Sequence, residues 1–410
     1  MNSNSENSSY FFTWSAQKNI SPLNLTGHGN FFYKDSLLEK PLWDLCSTSF
    51  QASFGLRPSF LLKALKEHLD SSEELILAQP KSIFTLKEQV TSHLLSLIGK
   101  KGKIFYTQSG SESVENALKM SRQISQKNYI LAQKKSYHGA SLGALSVTGD
   151  WRQENHFHLG NYTLRVPHPY EDPEGKKLKE FVEKNLSLGI AAFILEPVSG
   201  ANGVYYPNKS WWKMAQSLSE AHNFFLILDE VVTGFYRTGP AFAFQEHPFL
   251  RPHFICLAKA ITGGIIPFGA VWANQEQASF YDTQVLSCGL TNYAYPLGLR
   301  GLEAVLSYTQ TQEFQQLKRE TQDSLDSFVS QIKNSTLPIK EIRQKGMLLC
   351  LDFSSSFFSL EYFKNEGFYV FVGKHTEAGD RLILAPALTY GAQLSSLLNE
   401  FFFSLQKACT

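Results

Sequence analysis

The stretch Phe224-Phe-Leu-Ile-Leu-Asp-Glu-Val-Val-Thr-Gly234 decides the fold. Its apolar run, Phe224 to Leu228, stops at two carboxylates, Asp229 and Glu230. A short apolar run bounded by turn signals reads as a buried strand. A carboxylate buried at its end without a partner is costly. The strand end therefore predicts a cation, or a site built around one. A second apolar run, Phe254-Ile-Cys-Leu-Ala, delivers Lys259. An acid at one strand end and a lysine at another suggest a cofactor held between them.

Working outward, the same grammar repeats. Lys103–Thr107, Tyr129–Ala132, Ile190–Leu195 and Phe268–Ala273 read as further strands. Ser111–Gln126 and Trp211–His222 read as helices between them. Strands alternating with helices predict an α/β fold with a mostly parallel sheet and right-handed crossovers. Ligands in such sheets bind beyond the carboxyl ends of the strands, which is where Asp229 and Lys259 fall. Upstream, Pro58–Leu69 and Leu86–Leu97 carry helical spacing, the second closed by Gly99. After Pro296 one long helical stretch runs past Leu317 and Phe328. A strand at Gly346–Phe353, a helix Phe358–Asn365 stopped by Gly367, and a closing helix from about Gln393 follow. The expected organisation is a disordered tail (1–9), an N-terminal segment of a smaller domain (10–55), a large domain (56–296) and the rest of the smaller α+β domain (297–410).

Composition narrows the function classes. A formal net charge of only +1 on 410 residues leaves no basic excess for nucleic acid or an anionic membrane. The polar N-terminus lacks the basic and apolar regions of a signal peptide, and no apolar window is long enough for a membrane span. The five cysteines show no C-x-x-C spacing, which argues against a metal site and for reduced thiols in a cytoplasmic protein.

Four stretches carry chemistry. In Thr107-Gln-Ser-Gly-Ser-Glu-Ser-Val a strand stops, a turn follows and a helix starts. Free N–H groups and the helix dipole at Ser109, Gly110 and Ser111 suit a phosphate, although on spacing alone a plain N-cap by Ser109 or Ser111 reads slightly better. In Tyr137-His138-Gly139 the aromatic ring can lie against a planar ligand, or simply pack. Asp229 can pair with a protonated ring nitrogen, or be satisfied by Arg237 or by backbone N–H groups. Glu196, in Leu195-Glu-Pro-Val, repeats the strand-ending acid. Lys259, hemmed in by small and apolar residues, becomes a nucleophile through desolvation. A phosphate cradle, a stacking face, an acid for a ring nitrogen and a lysine for an aldehyde together match what pyridoxal phosphate (PLP) needs.

These motifs resemble the class III (ω-amino acid) aminotransferases of PLP fold type I. Asp229-Glu-Val-Val-Thr-Gly-Phe-Tyr-Arg-Thr-Gly239 is similar to the family's D-E-V-x-x-G-F-G-R-T-G, and Ala258-Lys-Ala-Ile-Thr-Gly-Gly-Ile-Ile-Pro-Phe-Gly-Ala-Val271 to its A-K-G-x-x-G-G-x-x-P-x-G-A-V. Ser109-Gly-Ser-Glu, Tyr137-His-Gly, Glu196-Pro-Val, Thr291 with Pro296, and Ala385-Pro-Ala-Leu fall in register.

The resemblance implies a seven-stranded, mostly parallel sheet in the large domain and a homodimer. It implies that Lys259 holds the cofactor's aldehyde and shuttles a proton. Asp229 would meet the ring nitrogen, Tyr137 and Val231 would face the two sides of the ring, and Glu196 would support the Asp229 region. Gly110 and Ser111 would bind phosphate through their N–H groups, and Thr291 would reach the phosphate in the neighbouring subunit. Transfer of an amino group from a primary amine or ω-amino acid (β-alanine, 4-aminobutyrate, taurine) to pyruvate or 2-oxoglutarate is implied. An aminomutase, a decarboxylase or a non-catalytic homologue on the same fold are the alternatives.

The departures bear on substrate. Tyr236 stands where the family has glycine, and its bulk is expected near the site. Asn292, Tyr295 and Leu56-Arg-Pro also differ. The arginine that takes the substrate carboxylate is absent from Phe368-Tyr-Val-Phe-Val-Gly-Lys, and Ile383 fills another variant's arginine position. Arg381 is the nearest substitute and Arg57 a remote one. Trp14 and Phe12 resemble the aromatic stretch that lines the substrate pocket.

Overall fold

The computed structural model describes residues 9–20, 22–156, 162–375 and 379–409. The expected tail therefore lies outside the described residues, apart from its last position.

Seven strands form the central sheet: β1 Gly102–Thr107, β2 Tyr129–Gln133, β3 Thr163–Val166, β4 Ile190–Leu195, β5 Phe225–Asp229, β6 Phe254–Leu257 and β7 Gly269–Asn274. Their order is β1-β7-β6-β5-β4-β2-β3. Neighbours are parallel except at β7, which runs antiparallel to both β1 and β6. The fold is thus α/β, as the alternation of apolar runs and helical stretches predicts.

The runs are apolar throughout because both faces are covered. Leu226 and Leu228 enter one hydrophobic cluster and Ile227 the other. Leu131, Phe193 and Ile255 follow the first pair, while Ile130, Ile194 and Cys256 follow Ile227. One face is closed by the helix Gly110–Ser125 through Val114, Ala117 and Leu118. The other is covered in part by Lys209–His222 through Trp211, Ala215 and Leu218.

Two further sheets flank this layer. In one, Leu25–His28, Phe32–Asp35 and Leu42–Asp44 are joined by Phe368–Tyr369 from far along the chain, with Trp43 opposite Phe368 in parallel register. The other has the order Ile339–Lys345, Leu348–Phe353, Gly379–Leu384, Phe371–His375. The single helical stretch expected after Pro296 is two helices, Pro296–Tyr308 and Gln312–Lys333. The Thr309-Gln-Thr311 turn breaks them, and the Thr311 hydroxyl caps the second by accepting from the Phe314 N–H at 3.2 Å.

Between the first flanking sheet and the central layer, four successive non-glycine residues turn left-handed: Ser47, Thr48, Ser49 and Phe50, with φ of 47°, 47°, 61° and 70°. Each costs about 1–2 kcal/mol in that region, so neighbours must hold the turn. Thr48 donates to Asp44 Oδ2 at 2.8 Å, Ser47 Oγ donates to the Ala385 carbonyl at 2.6 Å, and the Phe50 N–H donates to the Cys46 carbonyl at 2.9 Å.

Candidate active site

The carboxyl ends of β1, β2, β4, β5 and β6 converge on one cavity of about 380 Å³, within the range of cofactor and small-molecule sites. Each predicted chemical group reaches it from a different strand end.

After β1, the Gly110–Ser125 helix starts at the cavity wall. Ser109 Oγ accepts from the Glu112 N–H at 3.2 Å, and Glu112 Oε2 accepts from the Gln108 N–H at 2.7 Å. The plain capping reading is therefore correct for Ser109. It leaves the N–H groups of Gly110 and Ser111 in the first turn, where no intrahelical acceptor exists, so the cap does not exclude an anion beside it. Ser111 Oγ is engaged elsewhere, accepting from the N–H groups of Ala140 and Ser141 at 3.0 and 2.8 Å. That pulls the loop after Tyr137 against the helix. Gly139, at φ 129°, allows the approach, since a Cβ there would sit 2.6 Å from Ser111 Oγ.

After β5, Asp229 is 4% exposed. Its Oδ2 meets His138 Nδ1 at 2.7 Å and its Oδ1 accepts from the Val231 N–H at 3.1 Å. Arg237 does not satisfy it. That guanidinium, fully buried, donates to the Pro386 carbonyl at 2.6 Å and to Ser53 Oγ at 3.0 Å. Val231 closes the floor beside Gly110, where a Cβ would lie 2.9 Å from Val231 Cγ1.

After β4, Glu196 lines the cavity and accepts from the Tyr137 N–H at 2.8 Å. Burial, and then the nearby Asp229 carboxylate, hold its carboxyl well above the usual range. After β6, Lys259 opens a short 3-10 turn at φ 48° with its amine 6.0 Å from the centre of the Phe50 ring. Burial lowers its pKa, against the opposing pull of Asp229 and Glu196. A larger share of the amine is then neutral and nucleophilic at a given pH than for a solvated lysine.

Other expectations fall elsewhere. Arg381 does not line the cavity. It is spent on Asp352 through Nε at 2.6 Å and Nη2 at 2.8 Å, and on the Asn202 carbonyl at 2.8 Å. Freeing that guanidinium for a ligand would strip the buried Asp352 carboxylate of one of its two cations, which is costly. Arg57 is exposed and outside the cavity wall. Tyr236 also points away: its ring packs edge-on to Phe314 under Lys318, and its hydroxyl accepts from Gln310 Nε2 at 3.4 Å. Thr291 is exposed and does not reach the cavity of its own chain, although the next residue's carbonyl accepts from Gln108 Nε2 at 2.7 Å. Trp14 stands at the mouth, edge-on to Tyr137 with ring centres 6.2 Å apart.

Sequence reasoning missed Gln51, Gln108 and Phe268 in the wall and Arg152 beside Tyr137. Gln108 and Phe268 sit inside motifs read for other residues, while Gln51 and Arg152 carry no local signal. Gln51 follows the left-handed turn, and Arg152 sits on the three-residue turn Trp151–Gln153.

A family model described as aminotransferase class-III matches residues 18–402. The adenosylmethionine-8-amino-7-oxononanoate aminotransferase of Helicobacter pylori is 34% identical over 249 residues, 57% of this chain and 55% of that protein. The omega-aminotransferase of Caulobacter vibrioides is 33% identical over 254 residues, 54% and 56% of the two chains. The chain thus spans little more than half the length of these relatives. A solved taurine:2-oxoglutarate aminotransferase from Bifidobacterium kashiwanohense, in complex with PLP and glutamate, superposes with a TM-score of 0.86. It covers 97% of this chain and 95% of that one at 23% identity.

Proposed function

The chain belongs to the class III aminotransferases, and from that premise we propose that it is a PLP-dependent enzyme that moves an amino group from a primary amine or an ω-amino acid to a 2-oxo acid such as pyruvate or 2-oxoglutarate. The observation that carries the reading is the convergence of Asp229, Lys259 and the Gly110–Ser111 helix start on one cavity.

The residues present fit the cofactor. A phosphate suits the N–H groups and dipole of the helix start, and Gly110 keeps a Cβ out of the space next to Val231. A protonated pyridine nitrogen suits Asp229, whose orientation is fixed by His138 and the Val231 N–H. Tyr137 and Val231 both border the space between. When bound, the cofactor supplies the electron sink for the carbon that loses and regains a proton.

The protein does the rest. Lys259 Nζ attacks a carbonyl and, once free, takes and returns a proton at the reacting carbon. Glu196 holds the Tyr137 backbone, and so the aromatic wall, through a carboxyl that keeps its proton above the ordinary carboxylate range.

The proposal includes a homodimer in which Thr291 serves the neighbouring subunit's cofactor. Its position outside its own cavity, next to a residue tied to Gln108, supports that role. It also includes a cytoplasmic location. Five free cysteines support this, and among the described residues no helix is long and apolar enough to cross a membrane.

Lys259→Ala tests the reading. The variant should lose the visible absorbance of the bound cofactor and all amino transfer. Full turnover by the variant would show that Lys259 is not the reactive amine. Product formation should also depend on an added 2-oxo acid, as it would not for a mutase or decarboxylase.

A further inference from the structure

A transaminase that accepts 2-oxo acids must hold a carboxylate, and the described cavity wall contains one cation, Lys259, which the chemistry uses. Guanidinium groups near the site are mostly committed. Arg237 is sealed against Pro386 and Ser53, and Arg381 is clamped on Asp352. Arg165 donates to the carbonyls of Ser146, Val147 and Thr148 at 2.9, 2.6 and 2.5 Å.

Arg152 differs. Its guanidinium carbon lies 4.6 Å from the centre of the Tyr137 ring, 4.9 Å from that of Trp151 and 5.8 Å from that of Trp14. Tyr137 is itself cavity wall. Asp150 takes one corner, Nη1, at 2.5 Å, and is anchored in turn by Asn202 Nδ2 at 3.1 Å. A guanidinium stacked on aromatic faces keeps its edge for planar, two-pronged recognition of a carboxylate. Its charge is felt at Lys259, where it adds to the lowering of the amine's pKa.

We propose that Arg152 is the residue that reads the acceptor: its guanidinium edge, set by the Tyr137–Trp151–Trp14 box and by Asp150, receives the carboxylate of the 2-oxo acid. This rests on the amino-transfer reading above. It assigns acceptor specificity to a residue outside every motif that identifies the family, distant from Arg381 in sequence although Asn202 touches both Arg381 and Asp150.

The test uses cofactor-loaded Arg152→Met and Arg152→Lys with one amine donor and two acceptors of equal length, pyruvate and propanal. In Arg152→Met the ratio of kcat/KM for pyruvate to that for propanal should fall about ten- to hundred-fold, the span expected for a lost charged hydrogen-bonding pair, and mainly through KM. Arg152→Lys should recover part of the ratio. Propionate, titrated against tryptophan fluorescence, should half-saturate at a concentration at least tenfold higher in Arg152→Met than in the native protein. Equal losses for both acceptors, or unchanged propionate binding, would overturn the proposal and leave Arg152 a buttress for Tyr137. If Arg152→Met fails to fold or to load cofactor, the same two readouts on Arg152→Lys decide. If the native protein transfers no amino group from any donor, the amino-transfer reading fails on its own, while the propionate titration still tests Arg152.

Discussion

Asp229 is held by two neighbours that do different work. The Val231 N–H fixes one oxygen from the same chain turn, whereas His138 reaches the other from a strand two places away in the sheet. A hydrogen bond to a charged group contributes about 1.5–3 kcal/mol. His138→Ala should therefore weaken PLP binding about ten- to hundred-fold, read by titrating the apoprotein with PLP and following absorbance. Unchanged affinity would mean that the Val231 N–H alone orients the acid. At this scale the sequence was informative where chemistry is written locally. Asp229, Glu196 and Lys259 each end an apolar run, and Tyr137 precedes His-Gly, so their types and flanks suffice. Arg381 misled because nearness to a motif says nothing about Asp352, a counter-ion one strand over. Arg152 was illegible because its role depends on three rings brought from positions 14, 137 and 151.

At the scale of elements, apolar runs marked six of the seven central strands. The seventh, Thr163–Val166, is four residues long at the sheet edge, with three of them half-buried. So short and mixed a segment leaves no periodic signal. The flanking sheet that contains Gly379–Leu384 is fastened to the central layer by a buried cluster. Asp352 receives Arg343 Nη2 at 2.5 Å as well as Arg381, and Arg343 Nε donates to the Gly203 carbonyl at 2.6 Å. Gly203, at φ 117°, leaves room for this, because a Cβ would lie 2.7 Å from Arg381 Cζ. Burial raises the Asp352 pKa, but the two guanidinium groups outweigh it and hold the carboxyl at about 2. Since the folded pKa is depressed, the stabilisation is present above about pH 4 and is lost as pH falls toward 2, a swing of about 2 kcal/mol. Asp352→Asn should cost about 3 kcal/mol at pH 7, because Arg381 and the buried Arg343 lose the carboxylate they share, while Arg343 keeps Glu341. It should also flatten the acid limb. Urea unfolding at pH 7 and pH 3 measures both, and a native-like acid limb in the variant would place the titrating group elsewhere.

For the whole molecule, the architecture was readable as α/β because every central strand but one announces burial on both faces. The joining of the two chain ends into one sheet was not, since no local pattern records a partner so distant. The proposed second subunit gives a prediction at this scale. Leu77 and Ile83, 70% and 81% exposed, are the side chains we assign to that proposed interface. The double variant Leu77→Asp, Ile83→Asp should shift the particle from two chains to one in light scattering after gel filtration. It should lose PLP affinity in parallel if Thr291 serves the neighbouring site. A monomer that holds PLP as tightly as the dimer would remove Thr291 from the cofactor.

The pairing of Trp43 with Phe368 also has a meaning in time. At about 5–20 residues per second of synthesis, the N-terminal strands wait on the order of tens of seconds for the strand that completes their sheet. Until it arrives they present an open edge, a template for wrong pairing. The left-handed turn after them, with Phe50 and Gln51 beside the lysine, is held by the Ala385 carbonyl and so gains that tether only after the same wait. A part of the chain made before the central sheet is thus secured after it, and newly synthesised protein should acquire activity later than it acquires its central sheet.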